Sequence, residues 1–191
     1  DPNQEHNHLF QERFNKSQID TVSLRIIPSV FREDVVEGTF DLIQMTHCLY
    51  YIEGRKQAIR LALSHLNPGG SLLIFHQTPL GVNEIQRAFM RQVKGDEEEK
   101  FSSRDIEDIF NELGVAFTFD VIVSDLDVTD CMAGNERGRL LLNFFLESNL
   151  DDVDDFMRRK IVATMKEISQ EREGRYYMFH PGGIFWVKNQ G

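Results

Sequence analysis

Apolar residues recur at helical spacing in several stretches of the chain, and the clearest stretch runs from 53 to 66. Its apolar side chains, among them Ile59 and Leu66, fall on one side of a helix whose other side is polar. The same spacing predicts helices at 4–14, 82–93, 139–147 and 153–168. Another helix is predicted to begin in a capping box at 102–105 and to end at Gly114.

Shorter apolar runs between these helices predict β-strands. The continuous run at 40–45 is typical of a buried strand, and 71–75 predicts another. Alternating apolar and polar residues predict further strands at 21–27 and 116–123. The aromatic-rich tail from 176 to 187 contains a His-Pro-Gly-Gly turn at 180–183, which predicts a hairpin.

The order of these elements predicts an α/β fold. Strand 40–45, helix 53–66, the Asn-Pro-Gly-Gly turn at 67–70 and strand 71–75 form a βαβ crossover. We therefore expect one domain, with a mainly parallel sheet that closes with an antiparallel C-terminal hairpin at its edge. Ligands of such sheets bind beyond the carboxyl ends of the strands, so the expected ligand edge runs from Thr46 to Tyr51.

Composition argues against several classes of partner. A net charge of −10 and a pI near 5.0 argue against nucleic acid as a partner, because binding to phosphates relies on Lys and Arg. No apolar run is long enough to cross a membrane, and we find no secretory signal. Cys48 and Cys131 make no disulfide framework, so a reduced, cytoplasmic setting is expected. The acidic runs at 96–99 and 151–155 are interpreted as solvated loops or a helix N-terminus.

Three ordered stretches resemble class I S-adenosylmethionine-dependent methyltransferases. They are the strand at 40–43 with its His-Cys-Leu-Tyr-Tyr continuation, the Pro-Gly-Gly turn within 66–74, and the Glu-Leu-Gly helix end at 112–114. A closer similarity is to the histamine N-methyltransferase family, and it rests on segments 48–52, 124–131 and 134–138. It covers nearly the whole chain and implies a Rossmann-like fold with S-adenosylmethionine as cofactor.

The resemblance implies a cofactor site along the same edge of the sheet. Asp1 matches the family's acidic residue that binds the ribose hydroxyls, and Thr46 falls where the backbone contacts the sulfonium end. Ser29 lies near the stretch that flanks the adenine, and His6 is assigned to the same site. The family's Gly-rich loop and N-terminal helical segment lie upstream of the position of Asp1, so we expect an N-terminally truncated form of the fold.

The resemblance also implies a pocket for a small amine or imidazole that accepts the methyl group. Tyr50 and Tyr51 match a tyrosine pair that lines this pocket, and Phe144 matches an aromatic residue on its far wall. The family's two imidazole-binding amides are replaced here by His47 and His180.

Two family tryptophans also have no counterpart in this chain. Val82 and Gln86 stand at their positions, so the pocket is expected to be less aromatic and the acceptor to differ from histamine.

The implied reaction needs little chemistry from the protein. Methyl transfer from a sulfonium is an in-line displacement without a covalent enzyme intermediate, so the protein must align the reactants and exclude water. An imidazole, with a pKa of about 6.5 for the His side chain, is largely neutral at pH 7. We therefore assign no catalytic base. We also expect no metal site, because the His6 and His8 pair has no partner ligand at convincing spacing.

Plainer interpretations stay open beside this one. The tyrosine pair could be core aromatics that follow a strand, and either histidine of the expected pocket could be purely structural. The chain could instead be a non-catalytic binding module that has lost its cofactor loop. The acceptor could also be a histidine-containing peptide or another amine. We expect the intact protein to be a monomer.

Overall fold

The computed structural model of the chain describes residues 1–95 and 100–191. Every helix expected from the spacing is present, with ends shifted by a few residues, whereas the short α5 was not predicted. The helices are α1 (Gln4–Lys16), α2 (Arg55–Ser64), α3 (Val82–Lys94), α4 (Ser103–Leu113), α5 (Thr129–Ala133), α6 (Glu136–Leu146) and α7 (Asp155–Glu167). The predicted capping box of α4 forms, since the Asp105 carboxylate accepts a hydrogen bond from the backbone N–H of Ser102 at 2.7 Å.

One of the two acidic runs stabilises a helix start, as predicted. Asp154 caps α7 by accepting a hydrogen bond from the backbone N–H of Met157 at 2.9 Å, and Asp155 lies in the first turn. The other run, 96–99, lies outside the described residues.

Seven strands form two sheets. They are β1 (Phe40–Thr46), β2 (Leu66–Gln77), β3 (Thr118–Ile122), β4 (Asp125–Asp127), β5 (Ser169–Arg172), β6 (Arg175–Phe179) and β7 (Gly182–Lys188). The larger sheet has the order β1-β2-β7-β3, in which β1 and β2 are parallel and β7 is antiparallel to both of its neighbours. Three of its four strands therefore run in the same direction, in agreement with the predicted α/β fold.

The prediction of a hairpin around 180–183 is wrong, because the two strands that flank this turn do not pair with each other. β6 pairs with β5 and β4 in the smaller sheet, whereas β7 lies between β2 and β3 in the larger one. The turn thus passes from one sheet to the other, and β7 is an inner strand rather than an edge. Apolar partners on both sides explain this choice, because Phe185 pairs with Ile74 of β2 and with Phe119 of β3.

Two expectations about the first strands are also wrong. β1 is only partly buried, since Phe40 is 41% exposed and Leu42 is 54% exposed, whereas Met45 is 5% exposed. No strand forms at 21–27 in the described chain. At the end of this segment, the carbonyl of Ile27 accepts a hydrogen bond from the backbone nitrogen of Asp1 at 3.2 Å. In the described residues β1 is hydrogen-bonded to β2 alone, so it is an edge strand, which accounts for its exposure.

Two apolar clusters hold the helices in place. The first packs α2 and α4 against the larger sheet through buried side chains such as Ile59, Phe110 and Phe185. The second joins α3 to α6 and α7 through side chains that include Ile85 and Leu146. None of the helices in the described ranges is both long and apolar enough to span a membrane.

Candidate functional site

The carboxyl ends of β1 and β2 meet at one edge of the larger sheet. Thr46 pairs with Phe75, so the residues that follow, His47 and His76, emerge side by side. The backbone N–H of His47 donates to the carbonyl of Phe75 at 2.9 Å, which fixes the chain where β1 ends. His47 has a φ of 47°, a left-handed conformation that is uncommon for a residue with a side chain and often marks a functional position.

Aromatic and imidazole rings cluster at this edge. The His76 ring lies 5.0 Å from that of Tyr50 and 6.1 Å from that of His47, and Tyr50 packs edge-on against Tyr51 at 4.5 Å. Phe101 closes the other side of His76, with the ring centroids 5.1 Å apart. The expected pocket residues His47, Tyr50 and Tyr51 are therefore together, with His76 at their centre.

His76 is only 1% exposed, and its ring is neutral at physiological pH. Burial, together with the nearby His47, lowers the pKa of His76 to about 4, although the Phe101 carbonyl and Asp105 partly oppose this effect. Partial burial likewise lowers the pKa of His47. The site thus offers uncharged imidazoles, each with one donor and one acceptor nitrogen.

His180 reaches the same region from the turn between β6 and β7. Its Nδ1 accepts a hydrogen bond from the backbone N–H of Val82 at 3.4 Å, which places its proton on Nε2. Burial lowers the pKa of His180, the Leu80 carbonyl opposes this, and proximity to His47 lowers it further. Gly81 permits the approach, since a Cβ there would lie 2.8 Å from His180 Nδ1.

The remaining residues that were predicted to line an acceptor pocket differ in how exposed they are. Burial raises the pKa of Tyr50 to about 12, with smaller contributions from Tyr51, Cys48 and Glu147, so its phenol keeps its proton. Tyr51 is 80% exposed and Phe144 is 77% exposed. The ring of Phe144 faces Phe145 at 6.1 Å, and its assignment to the pocket wall stays a prediction.

The four residues assigned to the cofactor are only partly brought together. The contact between Asp1 and Ile27 places Asp1 beside the segment that carries Ser29, whereas Thr46 lies at the end of β1. His6 lies in the first turn of α1, where its backbone N–H donates to the Asn3 side chain at 3.1 Å and its ring is exposed. The assignment of these four residues stays a prediction.

Sequence reasoning missed His76, although one signal was available. The strand was predicted to end at Phe75, but the rule that ligands bind at the ends of parallel strands applies equally to the next residue. Burial of Asn83, two residues after Gly81, was also missed, because an amide on an amphipathic helix is usually exposed.

The described residues contain no group of three or more His, Cys, Asp or Glu side chains that could hold a metal. Burial raises the pKa of the Cys48 thiol, which keeps it a poor nucleophile.

No protein-family model matches the chain. Its sequence is 24% identical to histamine N-methyltransferase of Danio rerio over 152 residues, which cover 76% of this chain and 52% of that protein. It is 29% identical to histamine N-methyltransferase B of Xenopus laevis over 123 residues, covering 61% of this chain and 41% of that protein. The chain spans about half the length of the curated relatives it matches. These similarities confirm the resemblance noted from the sequence, although they cover 76% and 61% of the chain rather than nearly all of it.

Solved structures share the fold. The YcgJ protein of Bacillus subtilis matches all of this chain and 81% of its own length, with a TM-score of 0.56 and 14% identity. A protein of Galdieria sulphuraria assigned as a sarcosine dimethylglycine methyltransferase matches all of this chain and 68% of its own, with a TM-score of 0.54 and 12% identity. At such identities the likeness concerns the fold alone, and it confirms the predicted Rossmann-like class I methyltransferase fold.

Proposed function

We propose that this chain binds the methyl acceptor in an S-adenosylmethionine-dependent N-methyltransferase, and that the acceptor is a small compound with a histamine-like imidazole or another amine. One observation carries the proposal. Neutral imidazole and phenol rings gather at the carboxyl ends of β1 and β2, where this fold binds ligands, in a chain similar to histamine N-methyltransferases.

The residues present fit the proposed cofactor. The Asp1 carboxylate accepts one hydrogen bond, from the backbone N–H of Asn3 at 2.7 Å, and a carboxylate has further lone pairs to accept ribose hydroxyls. The exposed Thr46 at the end of β1 and the half-buried Ser29 offer further backbone and hydroxyl groups. When bound, the cofactor would supply an electrophilic methyl group on its sulfonium.

The acceptor's ring nitrogen must present its lone pair to that methyl group. We assign the orientation of the acceptor ring to Tyr50 and His47, whose rings lie 6.4 Å apart. Because Tyr50 keeps its proton, its hydroxyl can donate a hydrogen bond to the acceptor. A methylated imidazole carries a positive charge until it loses its N–H proton. That proton can leave to water, since His47 and Tyr51 at this edge are exposed to solvent.

Two measurements test this proposal. Isothermal titration with S-adenosylhomocysteine should show binding, and tritium from methyl-labelled S-adenosylmethionine should appear in histamine or a related imidazole. Binding without transfer to any amine or imidazole would favour the non-catalytic module. An absence of both binding and transfer would contradict the proposal.

The acceptor preference should depend on His47. We expect His47→Gln to raise kcat/KM for histamine by about tenfold relative to other imidazoles, since an amide is smaller and does not titrate. The matched control is His8→Gln, because His8 lies on the exposed face of α1 and should not affect the preference. Steady-state assays with a panel of acceptors give the ratio, and equal ratios in both variants would remove His47 from the acceptor site.

A further inference from the structure

The inward face of α3 carries two buried amides. Asn83 is 0% exposed and Gln86 is 7% exposed, and at a spacing of three residues they lie on the same side of the helix. Asn83 Nδ2 donates to the carbonyl of Phe101 at 3.4 Å, and Gln86 Nε2 donates to the carbonyl of Phe145 at 2.9 Å. Because a carbonyl can only accept, these bonds fix which end of each amide is the oxygen.

Both amide oxygens lack a hydrogen-bond partner among the described residues, and neither ring nitrogen of His76 makes a hydrogen bond of good geometry. The Phe101 carbonyl lies near the His76 ring, but it already accepts from Asn83 and Gln77. His76 adjoins Asn83 through Phe101, whose ring packs on His76 and whose carbonyl binds Asn83. We refer to His76, Asn83 and Gln86 as the buried polar cluster. Buried polar atoms without partners destabilise a folded chain, and native proteins keep few of them. Four such atoms on three neighbouring side chains therefore indicate a ligand.

The hydrogen-bonding capacity of the cluster specifies the ligand. Two amide oxygens and one nitrogen of neutral His76 accept, while its other nitrogen donates. Among the residues that the structure describes, the charged groups that act on the His76 ring are Asp105 and Arg55, and both are engaged. Asp105 accepts from Ser102, and Arg55 donates to the carbonyl of Leu49 at 3.2 Å and packs on the Phe101 ring.

Nothing in the buried polar cluster itself would balance the charge of a buried ion, and burying an unpaired charge is strongly unfavourable. The complement is therefore an uncharged group that offers at least two N–H donors beside one acceptor.

We infer that the buried polar cluster of His76, Asn83 and Gln86 binds a neutral carboxamide or amino-substituted heterocycle, and so selects an uncharged methyl acceptor over a charged one. This inference rests on the proposed methyl transfer for its biological role. A ligand can approach the cluster at His76, because two of the three rings that pack on His76, those of Tyr50 and His47, are themselves partly exposed.

The test compares two flat probes of nearly the same shape, imidazole-4-carboxamide and imidazole-4-carboxylate. Chemical-shift titrations of the chain, with and without S-adenosylhomocysteine, should show that the carboxamide binds about tenfold or more tightly than the carboxylate. Gln86→Met and His76→Phe should each weaken carboxamide binding by about tenfold, because each removes a partner of the amide. His76→Gln keeps a donor and an acceptor and should restore part of the binding.

The control is Gln92→Met, the same substitution on the exposed side of α3, which should leave carboxamide binding unchanged. Thermal melts separate a binding role from a structural one. Gln86→Met also removes the hydrogen bond to the Phe145 carbonyl, so the melts are compared for His76→Phe alone. Because His76→Phe removes two unpartnered polar atoms, its melting temperature should equal or exceed that of the native chain. A purely structural role would lower it.

The outcomes separate this inference from the proposed function. The inference would be overturned by equal binding of both probes, by the absence of carboxamide binding, or by carboxamide binding that Gln86→Met leaves unchanged. In any of these cases, transfer of the labelled methyl group would show that the enzyme proposal survives. Selective carboxamide binding that Gln86→Met abolishes would support the inference even if S-adenosylhomocysteine failed to bind.

Discussion

Acidification from pH 7 to pH 4 is expected to lower the free energy of unfolding by about 3 kcal/mol through His76 alone. Its pKa falls from the ordinary 6.5 to about 4 on folding, so between these values the unfolded chain binds more protons than the folded chain. Stability is therefore fully present above pH 6.5 and is lost as the pH falls towards 4. His47 and Arg55 oppose the charged ring and Asp105 favours it, while Tyr50 stays neutral.

Urea unfolding of the native chain and of His76→Phe at several pH values measures this effect. Carboxylates such as Asp127, whose pKa is also lowered, reduce the stability of both proteins in acid. Their contributions are the same in both proteins, so they cancel when the two stability curves are compared. The stability curve of His76→Phe should be flatter by about 3 kcal/mol between pH 7 and pH 4. Parallel curves would show that His76 is not buried in a neutral form.

A methyl group at Gly138 is expected to be the most damaging single change in the fold. Gly138 lies in the first turn of α6, and a Cβ there would overlap the carbonyl of Asp130 and lie 2.5 Å from the backbone nitrogen of Cys131. These are backbone atoms of α5, so neither helix can yield without parting from the other. Gly138→Ala should therefore cost about 3 kcal/mol or more.

Gly134→Ala is the matched control for Gly138→Ala, since Gly134 ends α5 with a φ of 63° and has no atom within 4 Å of the position that a methyl group would occupy. It should cost only about 1 kcal/mol, the penalty for a side chain in the left-handed region. Chemical denaturation of both variants gives the difference. Equal losses would mean that α5 and α6 do not approach as closely as described.

Local signals predicted the helices well because each depends on nearby residues. The amphipathic spacing of α3 and the capping box at Ser102 and Asp105 need no knowledge of the rest of the chain. The pairing of β7 could not be predicted in this way. Its Pro-Gly-Gly turn is a genuine local hairpin signal, yet burial of Phe185 between β2 and β3 decides the pairing.

The candidate site likewise contains residues that a local signal predicts and residues that only the packed structure brings together. His47, Tyr50 and Tyr51 follow directly from the end of β1, and the resemblance to a known family adds His180. The buried polar cluster was beyond prediction because it joins β2 to α3, and only the packed structure shows that its polar atoms lack partners. Gln86 was noted from the sequence as a departure from the family, without any indication of how it is used.

The histidine rings provide the most direct test of the acceptor site. The chain has six histidines, and His47, His76 and His180 lie at the proposed site. The other three, His6, His8 and His65, are exposed or half-exposed elsewhere and serve as internal controls. The chain is labelled with ¹⁵N-histidine, and its ring signals are followed by NMR. It is titrated with histamine and, separately, with imidazole-4-carboxamide, each in the presence of S-adenosylhomocysteine. Single His→Gln variants assign each signal to its residue. We expect saturable shifts in the ring signals of His47, His76 and His180 and none in the other three, with saturation at a lower concentration of the neutral carboxamide than of histamine, whose ammonium group is charged. Saturable shifts confined to His6, His8 and His65, or no shifts at all, would contradict it.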